Sequence, residues 1–161
     1  MTIKVGDRIP SGVTLKYQSA EGIKEITTDQ FFRGKKVALF AVPGAFTPTC
    51  SMKHLPGFVD QAARIKAKGV DEIACIAVND AFVMGAWGKE HRTEGRVTML
   101  ADGSGEFARA VGLELDLSKA GLGARSQRYS MLVDDGVVTA LNIEKPGQFE
   151  VSSAEAMLKA L

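Results

Sequence analysis

The chain has 161 residues, 45% of them hydrophobic, and its 20 Lys and Arg nearly balance its 19 Asp and Glu. This size and composition are typical of one globular domain, so we expect a single domain over residues 1–161. The near-zero net charge argues against nucleic acid or an anionic membrane surface as a partner. No segment has the roughly 20 apolar residues of a membrane span, and the N-terminus has no apolar run of signal-peptide length, so the expected location is the cytoplasm.

The first third of the chain predicts a β-hairpin and a short helical turn. Residues 14–17 and 23–26 alternate as two strands joined through residues 19–22. Thr28 is expected to cap a turn over residues 29–32, which Gly34 ends.

From residue 37 onward, predicted strands and helices alternate. The predicted strands are 37–42, 72–78 and 97–101, followed by a hairpin of 130–134 with 137–143. The predicted helices run from residue 48 to 68 with a kink at Pro56, over 81–91, over 105–111, and from about 153. Residues 117–123, with two glycines, are expected to form a loop. This order predicts a three-layer α/β domain with a central mixed sheet, an N-terminal hairpin and an insertion at 105–128 before the last hairpin.

Cys50 occupies the most informative position in the sequence. Pro43 and Gly44 stop the strand before it, Thr47 fits the N-cap of the next helix, and Pro48 fits the first helical position. Cys50 is then the third helical residue, where unpaired backbone N–H groups and the positive helix end favour thiolate over thiol. A thiolate in such a position is a nucleophile.

A cation is expected beside Cys50 as well, because a helix end contributes only about 1 kcal/mol to the stability of an anion. The candidates are Arg125 and Arg128, which lie just before the predicted strand at 130–134.

Residues 42–51, Val-Pro-Gly-Ala-Phe-Thr-Pro-Thr-Cys-Ser, resemble the active-site motif of peroxiredoxins of the type II, or atypical, subfamily. Segments at 54–58, 77–83, 100–102 and 123–130 resemble further parts of that subfamily in the same order. The resemblance covers nearly the whole chain and implies a thioredoxin-like fold, in agreement with the predicted elements.

The resemblance also implies roles for individual residues. Cys50 matches the peroxidatic cysteine, Thr47 the hydroxyl that holds the peroxide, and Pro43 the proline that shields the thiolate. Arg125 is matched with the arginine that stabilises the thiolate and the transition state. Arg128 is expected to fix a carboxylate or a loop carbonyl, with a direct role left open.

The implied activity is reduction of hydrogen peroxide and small alkyl hydroperoxides through a sulfenic acid on Cys50, without haem, flavin or metal. The two cysteines and two histidines of the chain also lack metal-ligand spacing. The resemblance further suggests a homodimer that packs the Phe46 loops of two subunits together.

Cys75 has two interpretations. It lies in a uniformly apolar predicted strand, which indicates a buried small residue, yet some type II members use a cysteine here to resolve the sulfenic acid. Other atypical members keep a resolving cysteine near the C-terminus, but residues 149–154 contain none. We therefore expect a one-cysteine cycle in which glutathione or a glutaredoxin reduces Cys50, with thioredoxin as another possible thiol donor.

Other functions are less consistent with the sequence. A thiol-disulfide reductase of the same fold would need a second cysteine at position 53, which is Lys53. A redox sensor or holdase would use Cys50 only as a switch.

His54, one helical turn after Cys50, could act as a base to the thiol as in cysteine hydrolases, but it is expected to order the helix or a subunit contact. Trp87 is expected to lie in the core or at an interface.

Overall fold

The computed structural model describes residues 1–161 and contains nine strands and five α-helices. The strands are β1 (Thr14–Ser19), β2 (Gly22–Thr27), β3 (Lys36–Ala41), β4 (Glu72–Ala77), β5 (Thr98–Ala101), β6 (Glu114–Leu117), β7 (Gly123–Ser126), β8 (Tyr129–Asp134) and β9 (Val137–Ile143). The helices are α1 (Thr28–Phe32), α2 (Leu55–Ala67), α3 (Ala81–Glu90), α4 (Glu106–Ala110) and α5 (Ala154–Ala160), and a π-helical turn, Cys50–His54, precedes α2.

Seven strands form one mixed sheet in the order β2-β1-β5-β4-β3-β8-β9. Strands β3, β4 and β5 run parallel, and the remaining pairs are antiparallel. Helices cover both faces, so the central strands β3 and β4 are apolar on both sides. One core packs α2, α3 and α5 against the sheet, and the other packs α1 and α4 against the opposite face. The predicted three-layer, thioredoxin-like α/β architecture is confirmed.

The turn chemistry accounts for the β8–β9 hairpin. In the β8–β9 hairpin, Asp135 and Gly136 form a two-residue turn, and both have positive φ, as this turn type requires.

The cap of α1 differs by one residue from the prediction. Thr27, not Thr28, accepts the bond from the N–H of Gln30, whose side chain in turn accepts from the N–H of Thr27. The Thr28 hydroxyl is used elsewhere, because it donates to the carbonyl of Pro10.

The 105–128 insertion contains more structure than its sequence predicted. After α4, strands β6 and β7 pair as a separate two-stranded ladder, with a short 3-10 turn at Ser118–Ala120 between them. Short strands of mixed exposure give a weak alternation signal, which is why residues 117–123 were expected to form only a loop. This hairpin carries Arg125. No helix of the protein has the length and apolar character needed to cross a membrane.

Candidate active site around Cys50

Cys50 lies in the first turn after β3, as predicted. The N–H of Ser51 donates to the carbonyl of Thr47 at 2.9 Å, which makes Thr47 the N-cap and Pro48 the first helical residue. Cys50 is fully buried, with 0% of its surface exposed, and its thiol is free.

The helix that begins at Pro48 is locally widened. The N–H of Leu55 donates to the carbonyl of Cys50, five residues earlier, so Cys50 to His54 form one π-helical turn. Pro56, which follows, has no N–H to continue the α-helical pattern at this point. The kink expected at Pro56 therefore corresponds to a π turn immediately before it, a feature that is frequent at functional sites.

Thr47 contacts the sulfur directly. Its Oγ1 lies 2.9 Å from Cys50 Sγ and 2.7 Å from the carbonyl oxygen of Gly44. A hydroxyl has one proton, so it donates to Sγ when the sulfur is ionised and is free to donate to Gly44 when the sulfur carries its own proton. This geometry fits a residue that responds to the charge on the sulfur.

Arg128 is the cation that reaches Cys50. Its Nη2 donates to Cys50 Sγ at 3.2 Å, and its Nη1 lies 2.8 Å from His54 Nδ1. A guanidinium can only donate, so Nδ1 must accept and the proton of the neutral imidazole lies on Nε2. His54 Nε2 then donates to the carbonyl of Ser152 at 2.9 Å.

The surroundings of His54 keep it neutral. The ring is fully buried, with the rings of Phe40, Phe58 and Phe149 at centroid distances of 4.8, 5.7 and 4.9 Å. Burial, together with the charge of Arg128, lowers the pKa of His54 to about 3. Its Nδ1 faces Arg128, so His54 is arranged to hold that arginine and does not form a thiol–imidazole pair with Cys50.

Arg125 has a different place from the one the sequence suggested. Its Nε donates to the carbonyl of Leu122 at 2.8 Å and its Nη1 to the carbonyl of Pro43 at 3.3 Å, and it makes no hydrogen bond to Cys50. The guanidinium lies against Gly44, where a Cβ atom would come within 2.8 Å of Nη1. Arg125 therefore braces the loop that carries Thr47.

Strand register explains why Arg128, and not Arg125, meets the sulfur. Tyr129 pairs with Ala41 at the end of β3, so Arg128 lies where the chain leaves that strand towards Cys50. Arg125 lies in the β6–β7 hairpin, outside the main sheet. The pairing of β8 with β3 was the signal needed to choose between the two arginines.

A pocket of about 220 Å³ opens beside this cluster. Pro43 and Thr49 form one side, and the turn after β9, including Lys145, forms another, with Arg128 between them. Arg128, Lys145 and the acidic Glu144 line it together, which makes the pocket suited to small polar molecules. Pro43 thus lines the approach to the buried sulfur.

Cys75 is fixed in the middle of the sheet. It lies in β4 opposite Phe40, is fully buried, and belongs to the same apolar core as Cys50, with both thiols free. Burial raises the pKa of the Cys75 thiol well above its ordinary value, and the nearby Cys50 adds to that effect. Cys75 therefore has the surroundings of an unreactive core residue.

Trp87 is part of the buried core and is linked to the active-site turn. It is fully buried, and its Nε1 donates to Ser51 Oγ at 2.9 Å.

No group of three or more His, Cys, Asp or Glu side chains is arranged to hold a metal ion.

The sequence interpretation missed the segment after β9. Glu144 is buried, and its carboxylate holds residues 150–152, whose last carbonyl receives the bond from His54. A lone glutamate in a polar stretch gives no sequence signal for such a role, because the bonds depend on how the chain folds back after β9.

Comparison with known proteins relates the whole chain to one family. Residues 4–158 match the family Redoxin. The chain is 52% identical over 159 residues to Peroxiredoxin-2B of Arabidopsis thaliana, covering 99% of this chain and 98% of the relative. It is 55% identical over 164 residues to the chloroplastic Peroxiredoxin-2E of the same plant, covering 99% of this chain and 70% of the relative. The crystal structure of reduced Prx3 from Vibrio vulnificus in complex with hydrogen peroxide superposes with a TM-score of 0.95 at 53% identity, covering 99% of each chain.

Proposed function

Since this chain belongs to the peroxiredoxin family and is a thiol-dependent peroxidase, we propose that Cys50 is its peroxidatic residue and that hydrogen peroxide and small alkyl hydroperoxides are its substrates. The observation that carries the proposal is the pair of donors on one buried sulfur, Thr47 Oγ1 at 2.9 Å and Arg128 Nη2 at 3.2 Å. Residues 1–161 act as one domain in this proposal, and the reaction needs no haem, flavin or metal.

In the proposed reaction the Cys50 thiolate attacks one peroxide oxygen. A sulfur–oxygen bond forms, the O–O bond breaks, and the leaving oxygen takes the electron pair and then a proton, which gives water or an alcohol. The sulfur is oxidised to sulfenic acid and the peroxide is reduced. Thr47, Arg128 and the backbone N–H of Cys50 in the first helical turn are the donors for the charge that grows on the leaving oxygen.

The two arginines have separate roles in this proposal. Arg128 stabilises the thiolate and the transition state, the role that the family resemblance had suggested for Arg125. Arg125 holds the Pro43 carbonyl and lies against Gly44, so it fixes the loop that presents Thr47. Pro43 shields the sulfur from bulk water at the mouth of the pocket.

We propose that an external thiol completes the cycle. Cys75 is held between β3 and β5 in the core, and burial raises the pKa of its thiol, so attack by Cys75 on the Cys50 sulfenic acid would require the sheet to open. Glutathione or a glutaredoxin is the proposed donor, and thioredoxin is the alternative. Lys145 and Arg128 beside the pocket are suited to the carboxylates of glutathione.

The proposed assembly is a homodimer built on the Phe46 loop. Phe46 has a φ of 66° and is 49% exposed, an unfavourable conformation and exposure for an aromatic residue. Met52 and Phe82 are also exposed apolar residues, at 75% and 67%. The variant that tests this surface is Phe46→Asn, which removes the aromatic ring and still tolerates the positive φ of this position. Light scattering should give a dimer for the wild type and a shift towards monomer for the variant, and an unchanged mass would count against this surface.

The first test is the intact mass of the reduced protein after one equivalent of hydrogen peroxide. We expect a gain of one oxygen that disappears in Cys50→Ser and persists in Cys75→Ala. A loss of two hydrogens would instead mean that Cys75 resolves the sulfenic acid. No rapid change in mass would contradict a peroxidatic Cys50.

Turnover distinguishes the rival functions. Repeated reduction of peroxide with glutathione and glutaredoxin, or with thioredoxin, is expected for a peroxidase, whereas a redox sensor or holdase would be oxidised once and then stop. Reduction of disulfides without peroxide would indicate a thiol-disulfide reductase. The cytoplasmic location stays a prediction, because some close relatives are named as chloroplastic.

A further inference from the structure

We propose that Glu144 is a positioning residue for the peroxide reaction, because its carboxylate holds the backbone segment that orients His54 and, through His54, Arg128. The inference rests on the proposed function of Cys50. We call residues 149–152 the C-terminal strap.

All the side-chain hydrogen bonds of Glu144 go to the strap. One oxygen, Oε2, accepts from the backbone N–H groups of Glu150, Val151 and Ser152, each at 2.8 Å, and from the Ser152 hydroxyl at 2.7 Å. Desolvation raises the pKa of Glu144, but these bonds outweigh it and leave that pKa below its ordinary value. Three consecutive N–H groups on one oxygen fix the path of the strap.

The strap connects to the active site through Ser152 and Phe149. The Ser152 carbonyl accepts from His54 Nε2 at 2.9 Å, and the Phe149 ring lies 4.9 Å from the His54 ring. Phe149 also faces the Arg128 guanidinium at 5.8 Å. The strap therefore supplies both the acceptor that sets the His54 tautomer and an apolar wall beside it.

These contacts close a ring of hydrogen bonds. The backbone N–H of Glu144 donates to the carbonyl of Arg128 at 3.0 Å, and the Glu144 side chain holds Ser152. Ser152 accepts from His54, and His54 Nδ1 accepts from Arg128 Nη1. The one donor of this ring that points outward to the reaction is Arg128 Nη2, which meets Cys50 Sγ. A closed ring has fewer alternative arrangements than an open chain of the same bonds.

The ring also leaves the charge of Arg128 available. Four ion pairs occur in the protein, and none includes Arg128 or Glu144. The bonded oxygen of Glu144 points to the strap, and the carboxylate makes no ion pair with Arg128, so it does not compete with the sulfur for the guanidinium. Arg128 is instead held by a neutral acceptor, His54 Nδ1, which directs the guanidinium without neutralising it.

Loss of the Glu144 carboxylate should therefore change the hydrogen bonding of His54. Without its anchor, the strap no longer presents the Ser152 carbonyl at a fixed point, and the His54 proton can move from Nε2 to Nδ1. A protonated Nδ1 cannot accept from Arg128. Arg128 then loses the contact that keeps its second nitrogen on Cys50.

The test compares Glu144→Ala with Glu150→Ala. The control removes the same charge from the exposed side chain of Glu150, within the strap, and leaves the backbone bonds in place. The first measurement is the ¹⁵N spectrum of the imidazole rings in the reduced protein at pH 7, without peroxide. The chain has two histidines, so His91 is an internal reference. We expect the two ring nitrogens of His54 to shift towards each other in Glu144→Ala, while Glu150→Ala matches the wild type.

The second measurement is the rate constant for oxidation of Cys50 by hydrogen peroxide. We expect Glu144→Ala to be slower by about 10-fold, which corresponds to a loss of about 1.4 kcal/mol of transition-state stabilisation. If Glu144→Ala does not fold, Glu144→Gln, which keeps the shape and one acceptor oxygen, should show smaller changes in the same two measurements.

A folded Glu144 variant whose His54 nitrogens and rate constant both match those of Glu150→Ala would overturn the proposal. Failure of the proposed function has a different signature. In that case the wild type and Glu150→Ala would not react with peroxide, whereas the His54 spectrum would still report the state of the ring.

Discussion

Replacement of each arginine by glutamine separates the two candidates for the cation at Cys50. Arg128→Gln removes the donor at 3.2 Å from Sγ and leaves His54 Nδ1 without its charged partner. Arg125→Gln removes bonds to two backbone carbonyls and leaves the contacts of Cys50 intact. Both changes remove one positive charge from the same short segment, so they are matched in net charge.

The expected magnitudes differ clearly. Loss of one preorganised donor to a developing anion typically costs about 2.7–4 kcal/mol, or about 10²–10³ in rate. We expect that loss for Arg128→Gln. Arg125→Gln should weaken only the support of the loop that carries Thr47. The lost hydrogen bond to the neutral Pro43 carbonyl is worth about 1 kcal/mol, or about fivefold in rate. Arg128→Lys should fall near the glutamine variant, because one ammonium lacks the planar fork that reaches both His54 and Sγ.

Trp87 provides the assay. It is the only tryptophan of the chain, and its Nε1 donates to the hydroxyl of Ser51, the residue next to Cys50. Its fluorescence in a stopped-flow instrument should therefore report oxidation of Cys50, and the dependence on peroxide concentration gives the second-order rate constant. Cys50→Ser is the blank. Circular dichroism of each variant checks that the fold is retained.

A larger loss of rate in Arg125→Gln than in Arg128→Gln would refute this reasoning. The 3.2 Å contact would then not be the one that matters in the transition state, and the role first suggested for Arg125 by the family resemblance would stand. Equal losses would mean that positioning of the loop and charge at the sulfur contribute alike, which also contradicts the separate roles.

Three further predictions concern neighbouring groups. Thr47→Val should lower the peroxide rate constant by about 10- to 100-fold, since a hydroxyl bond to a charged group is worth about 1.5–3 kcal/mol, whereas Thr47→Ser should retain most of the rate. The free energy of unfolding should fall as the pH drops below 6.5 towards about 3, because the unfolded chain binds a proton at His54 that the buried ring does not bind. His54 alone should contribute a fall of about 2 kcal/mol at pH 5. In urea unfolding, His54→Gln should lack this pH-dependent component, and His91→Gln should keep it. Cys75→Ala should turn over peroxide with glutathione and glutaredoxin at the wild-type rate, and loss of turnover with a retained fold would show that Cys75 resolves the sulfenic acid.

The fold could be predicted from local signals wherever those signals were strong. Apolar runs of strand length gave β3 and β4, and the Thr47–Pro48 pair placed Cys50 in the first helical turn. The β6–β7 hairpin was missed because its strands are short and its apolar residues do not face a large core. The cap of α1 was misplaced by one residue because adjacent threonines are equivalent in sequence, and only the bond from Gln30 distinguishes Thr27.

The site residues also divide into those that local sequence signals predict and those that they do not. Thr47 and Cys50 lie three residues apart on one helical turn, so local geometry alone brings them together. Arg128 reaches the sulfur from 78 residues away through the pairing of β8 with β3, and Glu144 acts from beyond β9. Contacts of that kind depend on sheet order and register, which the spacing of residues in a sequence does not contain.

Burial of Cys50 then bears on which molecules can reach it. The sulfur has no exposed surface and contacts Arg128 and Thr47, so an oxidant has to be small enough to enter beside them. Hydrogen peroxide has two heavy atoms and satisfies that condition. A thiol reductant is much larger, so we expect it to attack the sulfenic acid only after the π turn at Cys50–His54 moves outward. Such a movement would separate His54 from Arg128, so we expect the ring anchored by Glu144 to oppose reduction while it favours oxidation. Glu144→Ala should accordingly speed the reduction of oxidised Cys50 by glutathione relative to Glu150→Ala while slowing its oxidation, and rates that change in the same direction would contradict this opposition.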